Sequence, residues 1–180
     1  LGINQTLPNL KHHTLFFEND LDEHIDCIYG EKKWPENPLF YACCPSKTYN
    51  IVSPILKENL FLLMPEAIGT NDDEKNREKY LAEMLSRIEK HTGIADLASK
   101  IEYQRSYCVT DFVQDYNAYG GNAYGLANTL NQTAVLKPKM RNKKVNNLFY
   151  TGQLTVPGPG VPPSIISGKI VANEITKFKN

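Results

Sequence analysis

Charge of one sign is what this 180-residue sequence lacks first: twenty Lys and Arg balance twenty Asp and Glu, and the formal net charge is zero. The basic footprint that holds nucleic-acid phosphates is missing, so nucleic acid is not expected as a partner. Long apolar runs are missing as well. A spanning helix needs about 18 apolar residues in a row, and a stretch such as Leu60-Phe-Leu-Leu-Met64 stops far short of that. The sequence opens on Leu1-Gly-Ile-Asn, with no charged segment leading into an apolar core, so no signal peptide is expected in it. Cysteine is sparse. Cys27, Cys43, Cys44 and Cys108 show no C-x-x-C spacing, and the adjacent pair cannot easily bridge to itself. They read as reduced small hydrophobes in a reducing compartment, with neither disulfide nor zinc expected. The dinucleotide motif G-x-G-x-x-G is also absent: Gly158-x-Gly160 has no third glycine, and Gly120-Gly121 to Gly125 has the wrong spacing.

What is present reads as an α/β chain. His12 and His13 precede Thr14-Leu-Phe-Phe17, a short strand. A histidine pair invites a metal, but no third ligand of matching spacing follows, and packing or strand-edge hydrogen bonding is the expectation. Asn19 or Asp20 caps a helix carrying Leu21, Ile25 and Ile28, with Gly30 as its stop. Leu39 to Cys44 is a strand ended by Pro45, and the run 60–64, without alternation, reads as a central strand. The clearest helix starts near Asn71-Asp-Asp-Glu74, where Leu81, Met84, Leu85 and Ile88 repeat at helical spacing and Gly93 stops it. Ile101, Tyr103, Tyr107 and Val109 alternate with polar residues as a half-buried strand, on whose apolar face Arg105 is a misfit. A short helix over 111–117 follows, capped by Thr110 and Asp111.

Two stretches carry the chemistry. Asn117-Ala-Tyr-Gly120 is echoed by Asn122-Ala-Tyr-Gly125. Tyr119 and Tyr124 offer aromatic walls, and Gly120 lets the backbone pass close to something flat, which suits a long apolar substrate; a Tyr-rich turn between subdomains is an equal alternative. Lys137-Pro-Lys-Met-Arg-Asn-Lys-Lys144 reads as a solvated basic connection. The chain then closes on a buried strand (Leu148 to Thr151), a Gly/Pro loop, and a helix opened by Pro162 and Pro163, where missing N–H groups cost nothing. Ile165, Gly168, Val171, Ala172, Ile175 and Phe178 share one face of that helix, and with Ile166 and Ile170 opposite, its start is expected to be buried all round. Glycine loop and helix N-terminus make a cradle suited to an anionic or pyrophosphate-bearing ligand.

The run Tyr150-Thr-Gly-Gln-Leu-Thr-Val-Pro-Gly-Pro-Gly-Val-Pro163 resembles the C-terminal flavin-binding signature of the carotenoid (phytoene) desaturase family, in its fungal branch. Leu1-Gly-Ile-Asn, His12-His13, Cys44-Pro-Ser, Tyr119-Gly-Gly-Asn-Ala-Tyr-Gly and Thr133-Ala-Val-Leu-Lys-Pro extend the likeness over nearly the whole chain. Family members are longer, and the resemblance is to their C-terminal portion. It implies the C-terminal part of a two-domain FAD-binding flavoprotein. Residues 1–110 would belong to a substrate-binding domain, and 111–180 to a return segment ending in the strand, loop and helix over 147–178. The implied cofactor is FAD, held in part by Gly152, Gln153, Pro157, Gly158, Gly160, Val161 and Pro162. Tyr119, Gly120 and Tyr124 would face the substrate, and no metal is implied. Gln153 stands where related flavoproteins present an acid, so carboxylate roles do not carry over. The implied substrate is a C40 polyene such as phytoene, with quinone or oxygen as electron acceptor. Association with a membrane surface would be peripheral and intracellular. No general base stands out, and the isolated chain is expected to be inactive with negligible FAD affinity. Another superfamily oxidoreductase, acting on a different apolar or amine substrate, or a non-enzymatic remnant domain, is the alternative.

Overall fold

Backbone order in the computed structural model begins with β1 (Gly2–Ile3), β2 (His13–Phe16), α1 (Leu21–Asp26), β3 (Phe40–Cys43), β4 (Glu58–Asn59) and β5 (Phe61–Leu63). The helix α2 (Glu74–Thr92), β6 (Ile101–Tyr103), α3 (Val109–Tyr116) and α4 (Val161–Lys179) complete it. The structure describes residues 1–127 and 129–179, with backbone alone at 178 and 179. Two compact units divide it, Leu1–Gly121 and Asn122–Asn180.

In the first unit, the described strands form two antiparallel sheets, ordered β4-β1-β6 and β2-β3-β5. A single apolar core joins them to α2. Ile3, Phe16, Phe40, Ala42 and Leu60 meet Leu85 and Ile88 there, with Leu7, Leu10 and Leu97 closing the ends. Phe16 and Phe40 stack at 4.4 Å between centroids across the β2–β3 register. The helix α2 forms where its pattern predicts. The Asp73 carboxylate accepts the Asn76 N–H at 3.0 Å, and Gly93 leaves the helix at φ +76°, a turn that glycine adopts without steric cost.

Several elements depart from the sequence expectation. The run 60–64 contributes β5, which pairs only with β3 among the described residues, and Phe61 is exposed: it is an edge strand rather than a central one. The strand at 101 lasts three residues, and Arg105 beyond it is exposed rather than turned inward. Val109 is already helical because Asp111 reaches back to the Cys108 N–H at 2.8 Å and fixes the turn there. In α1 it is His24 that is buried, while Leu21 and Ile25 are exposed. His24 accepts from the Leu39 N–H through Nδ1 and donates from Nε2 to the Pro65 carbonyl, which fixes one neutral tautomer. Gly30 does not stop α1; the chain continues in a wider turn and leaves at Lys32, φ +53°.

Two buried carboxylates pin the first unit's loops. Glu58 accepts from Lys47 at 2.5 Å, from the Leu7 N–H and from the Ser46 hydroxyl. Burial acts to raise its pKa, but these donors outweigh it and hold the value below the usual range. Asp72 accepts from Arg77 at 2.7 Å and from the N–H and hydroxyl of Thr110, both at 2.9 Å, joining α2 to α3. Burial again opposes ionisation, and the Thr110 and Arg77 donors again win.

Candidate functional site

The second unit contains the Gly/Pro segment. Instead of a strand, residues 148–151 make a single antiparallel bridge, Arg141 to Phe149, flanked by Tyr150 N–H to Met140 O at 2.7 Å and Asn142 N–H to Leu148 O at 2.9 Å. A strand needs a ladder of neighbours, and the bridge at Phe149 is an isolated one. Leu148 and Tyr150 are exposed accordingly.

The loop that follows is tied to α4 by one hydroxyl. Ser167, fully buried, accepts the Gly152 N–H at 2.8 Å, exchanges a 2.8 Å hydrogen bond with the Thr151 hydroxyl, and donates to the Ser164 carbonyl at 2.7 Å. Thr155 closes the same turn, its N–H and hydroxyl both donating to the Gly152 carbonyl. The Gly152 N–H therefore points into the protein. Its Cα side is open, since an added Cβ would meet nothing within 4 Å, while φ +101° excludes most other residues. Gly158 and Gly160 also have positive φ, and Gly158 is buried against the Lys137 side chain, which a Cβ would approach to 3.5 Å. Lys137 is thus buried rather than part of a solvated basic loop.

The start of α4 corrects two expectations. Pro162 and Pro163 follow Val161 and have no N–H, and the Ser164 N–H already serves the Gly160 carbonyl at 3.0 Å. The cradle accordingly offers few backbone donors and presents a mostly apolar rim. Nor is the helix start buried all round: Val161, Ile165 and Ile166 are 75%, 70% and 47% exposed. The buried line runs through Ser167 and Val171, with Gly168 and Ile175 half-buried, and the second unit has no described strand to pack on the Ile165 side. Phe178, assigned to the packed face, lies outside the described side chains.

A groove of about 360 Å³ opens on this unit, lined by Ala123, Tyr124, Gln153, Gly160, Val161, Ser164 and Ile165. It brings Gln153, Gly160 and Val161, expected at the cofactor, together with Tyr124, expected at the substrate. Gly152, Pro157 and Gly158, in the same loop, and Pro162, in the first turn of α4, do not line it. The Asn122 side chain holds Tyr124 in place, its Oδ1 accepting the Tyr124 N–H at 2.8 Å and the Gly125 N–H at 2.5 Å. Gly125 has φ +84°, and a Cβ there would stand 3.0 Å from Leu154, so glycine permits this turn to approach the loop. Tyr119 and Gly120 lie in the first unit, where the Gly120 carbonyl accepts the Gly69 N–H and its Cα lies against Ile68. Sequence reasoning missed Ala123, Ser164 and Ile165 in the groove and Ser167 beneath it; a serine inside an apolar helix pattern was the available signal for the last.

With the geometry in place, comparison with known proteins supplies the kinship. The chain is 42% identical over 175 residues to the carotenoid 3,4-desaturase of Haloarcula japonica, covering 97% of the chain and 35% of that protein. It is 31% identical over 182 residues to the zeta-carotene-forming phytoene desaturase of Myxococcus xanthus, covering 97% and 34%. With a 4,4'-diaponeurosporene oxygenase of Staphylococcus aureus it shares 28% over 181 residues, covering 97% and 35%. The chain spans about a third of the length of the curated relatives it matches. No protein-family model matches it. Mixed helix and sheet define the class of the chain as α/β. The chain belongs to the carotenoid desaturase family.

Proposed function

We propose that the chain is the C-terminal portion of an FAD-dependent desaturase that introduces double bonds into a C40 polyene such as phytoene. The observation that carries the reading is likeness to the two named desaturases across 97% of the chain. The change from substrate-binding domain to FAD-binding return segment, expected near residue 111, we place at Asn122, where the second compact unit starts. The residues present fit one wall of a flavin site. Gly152 and Gly160 keep the loop free of side chains, and the groove beside Gln153, Val161 and Ile165 is open and apolar-rimmed.

FAD, when bound, supplies the acceptor for a hydride equivalent taken from the polyene. This chain's own contribution is binding, orientation and exclusion of water. Gln153 offers a neutral amide that donates or accepts without repelling phosphate charge. Pro157, Gly158 and Pro162 shape the loop, with the Lys137 cation beneath Gly158. Tyr119, Gly120 and Tyr124 we assign to the polyene's path. A bilayer-soluble substrate calls for peripheral, intracellular docking at a membrane surface, and no helix among the described residues is long and apolar enough to cross one. Quinone or oxygen would reoxidise the flavin.

The full-length protein tests this by its colour and its products. Flavin absorbance together with phytoene-derived products bearing extra double bonds is expected; a colourless protein, or none of those products, refutes the reading. One relative is named an oxygenase, so oxygenated products from a flavin-bearing protein would favour that activity instead.

A further inference from the structure

The first unit assembles a constellation that the linear sequence conceals. In the antiparallel register of β2 and β3, His13 stands opposite Cys43, and the Cys44 N–H donates to the His12 carbonyl at 2.8 Å. Directly opposed residues share a face. His12 would point the other way in a regular strand, but β2 begins only at His13, and the two imidazole rings lie side by side with centroids 4.2 Å apart. One ligand atom from each of His12, His13 and Cys43 lies within 4.8 Å of the others. We infer that His12, His13 and Cys43 form a three-ligand site for a zinc-like divalent ion, with water in the fourth position.

Three details make this more than proximity. The set is two imidazoles and a thiol with no carboxylate, the nitrogen and sulfur chemistry that suits zinc and disfavours magnesium or calcium. Both rings are already held at Nδ1: His12 by the Thr48 hydroxyl at 2.7 Å, and His13 by the Tyr41 hydroxyl. When each Nδ1–H donates to that oxygen, each Nε2 carries the free lone pair, which is how outer partners orient metal-binding histidines. Finally, a tetrahedral zinc with nitrogen and sulfur ligands sets neighbouring donor atoms about 3.3–3.6 Å apart. The observed limit of 4.8 Å, for one nitrogen of each ring and the sulfur, lies about 1.5 Å at most beyond that spacing. His13 is exposed and Cys43 half-buried, which leaves water an open approach. The ion would clip the start of β2 to the end of β3 and the turn at Thr48.

The test uses the full-length protein with Zn²⁺ or Co²⁺ and does not depend on flavin content or desaturation. One equivalent of Zn²⁺ retained against a weak chelator is expected. Co²⁺ should give the strong visible bands of a tetrahedral site and a thiolate-to-cobalt charge-transfer band. C43S should abolish that band while C108S leaves it intact. T48V and Y41F, which remove only the outer partners, should weaken affinity by about 10–100-fold. No retained equivalent, a pale octahedral cobalt spectrum without the thiolate band, or a band unchanged in C43S overturns the inference.

Discussion

Ser167→Ala removes a single oxygen at the point where the Gly/Pro loop meets α4. Three hydrogen bonds end with it, and two donors lose their partner: the Gly152 N–H and the Thr151 hydroxyl. Leaving a buried donor unpaired costs about 1–3 kcal/mol. Thr151 is itself exposed and can turn to water, so its share is small; Gly152 is half-buried and takes most of the cost. A total of about 2 kcal/mol follows from those ranges. Hydrogen takes the hydroxyl's place, and the loss of one oxygen atom leaves a void smaller than a water molecule, so the cavity term is small. If flavin binds only the loop conformation seen here, that energy appears as a reduced binding-competent population, and apparent FAD affinity falls by up to about 30-fold. The assay is FAD titration of the apo form of the full-length protein, followed by flavin fluorescence, with Thr176→Ala on the exposed side of α4 as the control. The Thr176 hydroxyl donates to carbonyls of its own helix, so its variant should leave the loop's hydrogen-bond frame intact. An FAD affinity for Ser167→Ala within twofold of the native value would refute the argument that this hydroxyl holds the loop in its binding shape.

Other outcomes follow from the same structure. Gly121→Ala places a Cβ 2.4 Å from the Val109 carbonyl oxygen at φ +74°. Overpacking and backbone strain together cost about 2–5 kcal/mol, which should appear as a lowered melting temperature or loss of soluble protein. Gly152→Ala, with no neighbour within 4 Å but φ +101°, should cost only the backbone strain of about 1–3 kcal/mol in thermal melts, yet impair FAD binding beyond that. Asp72 has a lowered pKa, so its stabilisation is complete above its unfolded value and is lost as pH falls through the folded one. Asp72→Asn should therefore cost about 2 kcal/mol at neutral pH, with the difference from the native protein shrinking below about pH 4 in denaturant titrations.

Legibility in the sequence tracked how local the determining forces were. The helix α2 was readable because its stripe, its Asp73 cap and its Gly93 stop all lie within one segment. The strand positions of β2 and β3 were readable from short apolar runs between turn formers. The run at 60–64 misled because uniform apolarity signals burial on two faces, and nothing in five residues reveals that β5 has a neighbour on one side only. On α4 the stripe through Ile165 was real as a pattern, but the described residues of the second unit contain no sheet, and Ser167 took the buried centre by hydrogen bonding. The loop 152–162 could be picked out by its glycines and prolines. The effect of Pro162 and Pro163 on the donors available at the helix start was also written in the sequence, since proline carries no N–H. Cross-strand facts were not visible there: Cys43 beside the histidine pair and Asp72 beneath Thr110 depend on register and on helix packing, which no short window contains.

An anaerobic single turnover reaches the central claim most directly. The full-length protein, loaded with FAD and mixed with phytoene in vesicles without any acceptor, should lose its oxidised-flavin absorbance in step with the appearance of a product bearing one more double bond. Flavin that stays oxidised while phytoene remains unchanged, in a protein that binds FAD and docks to the vesicles, would contradict the account.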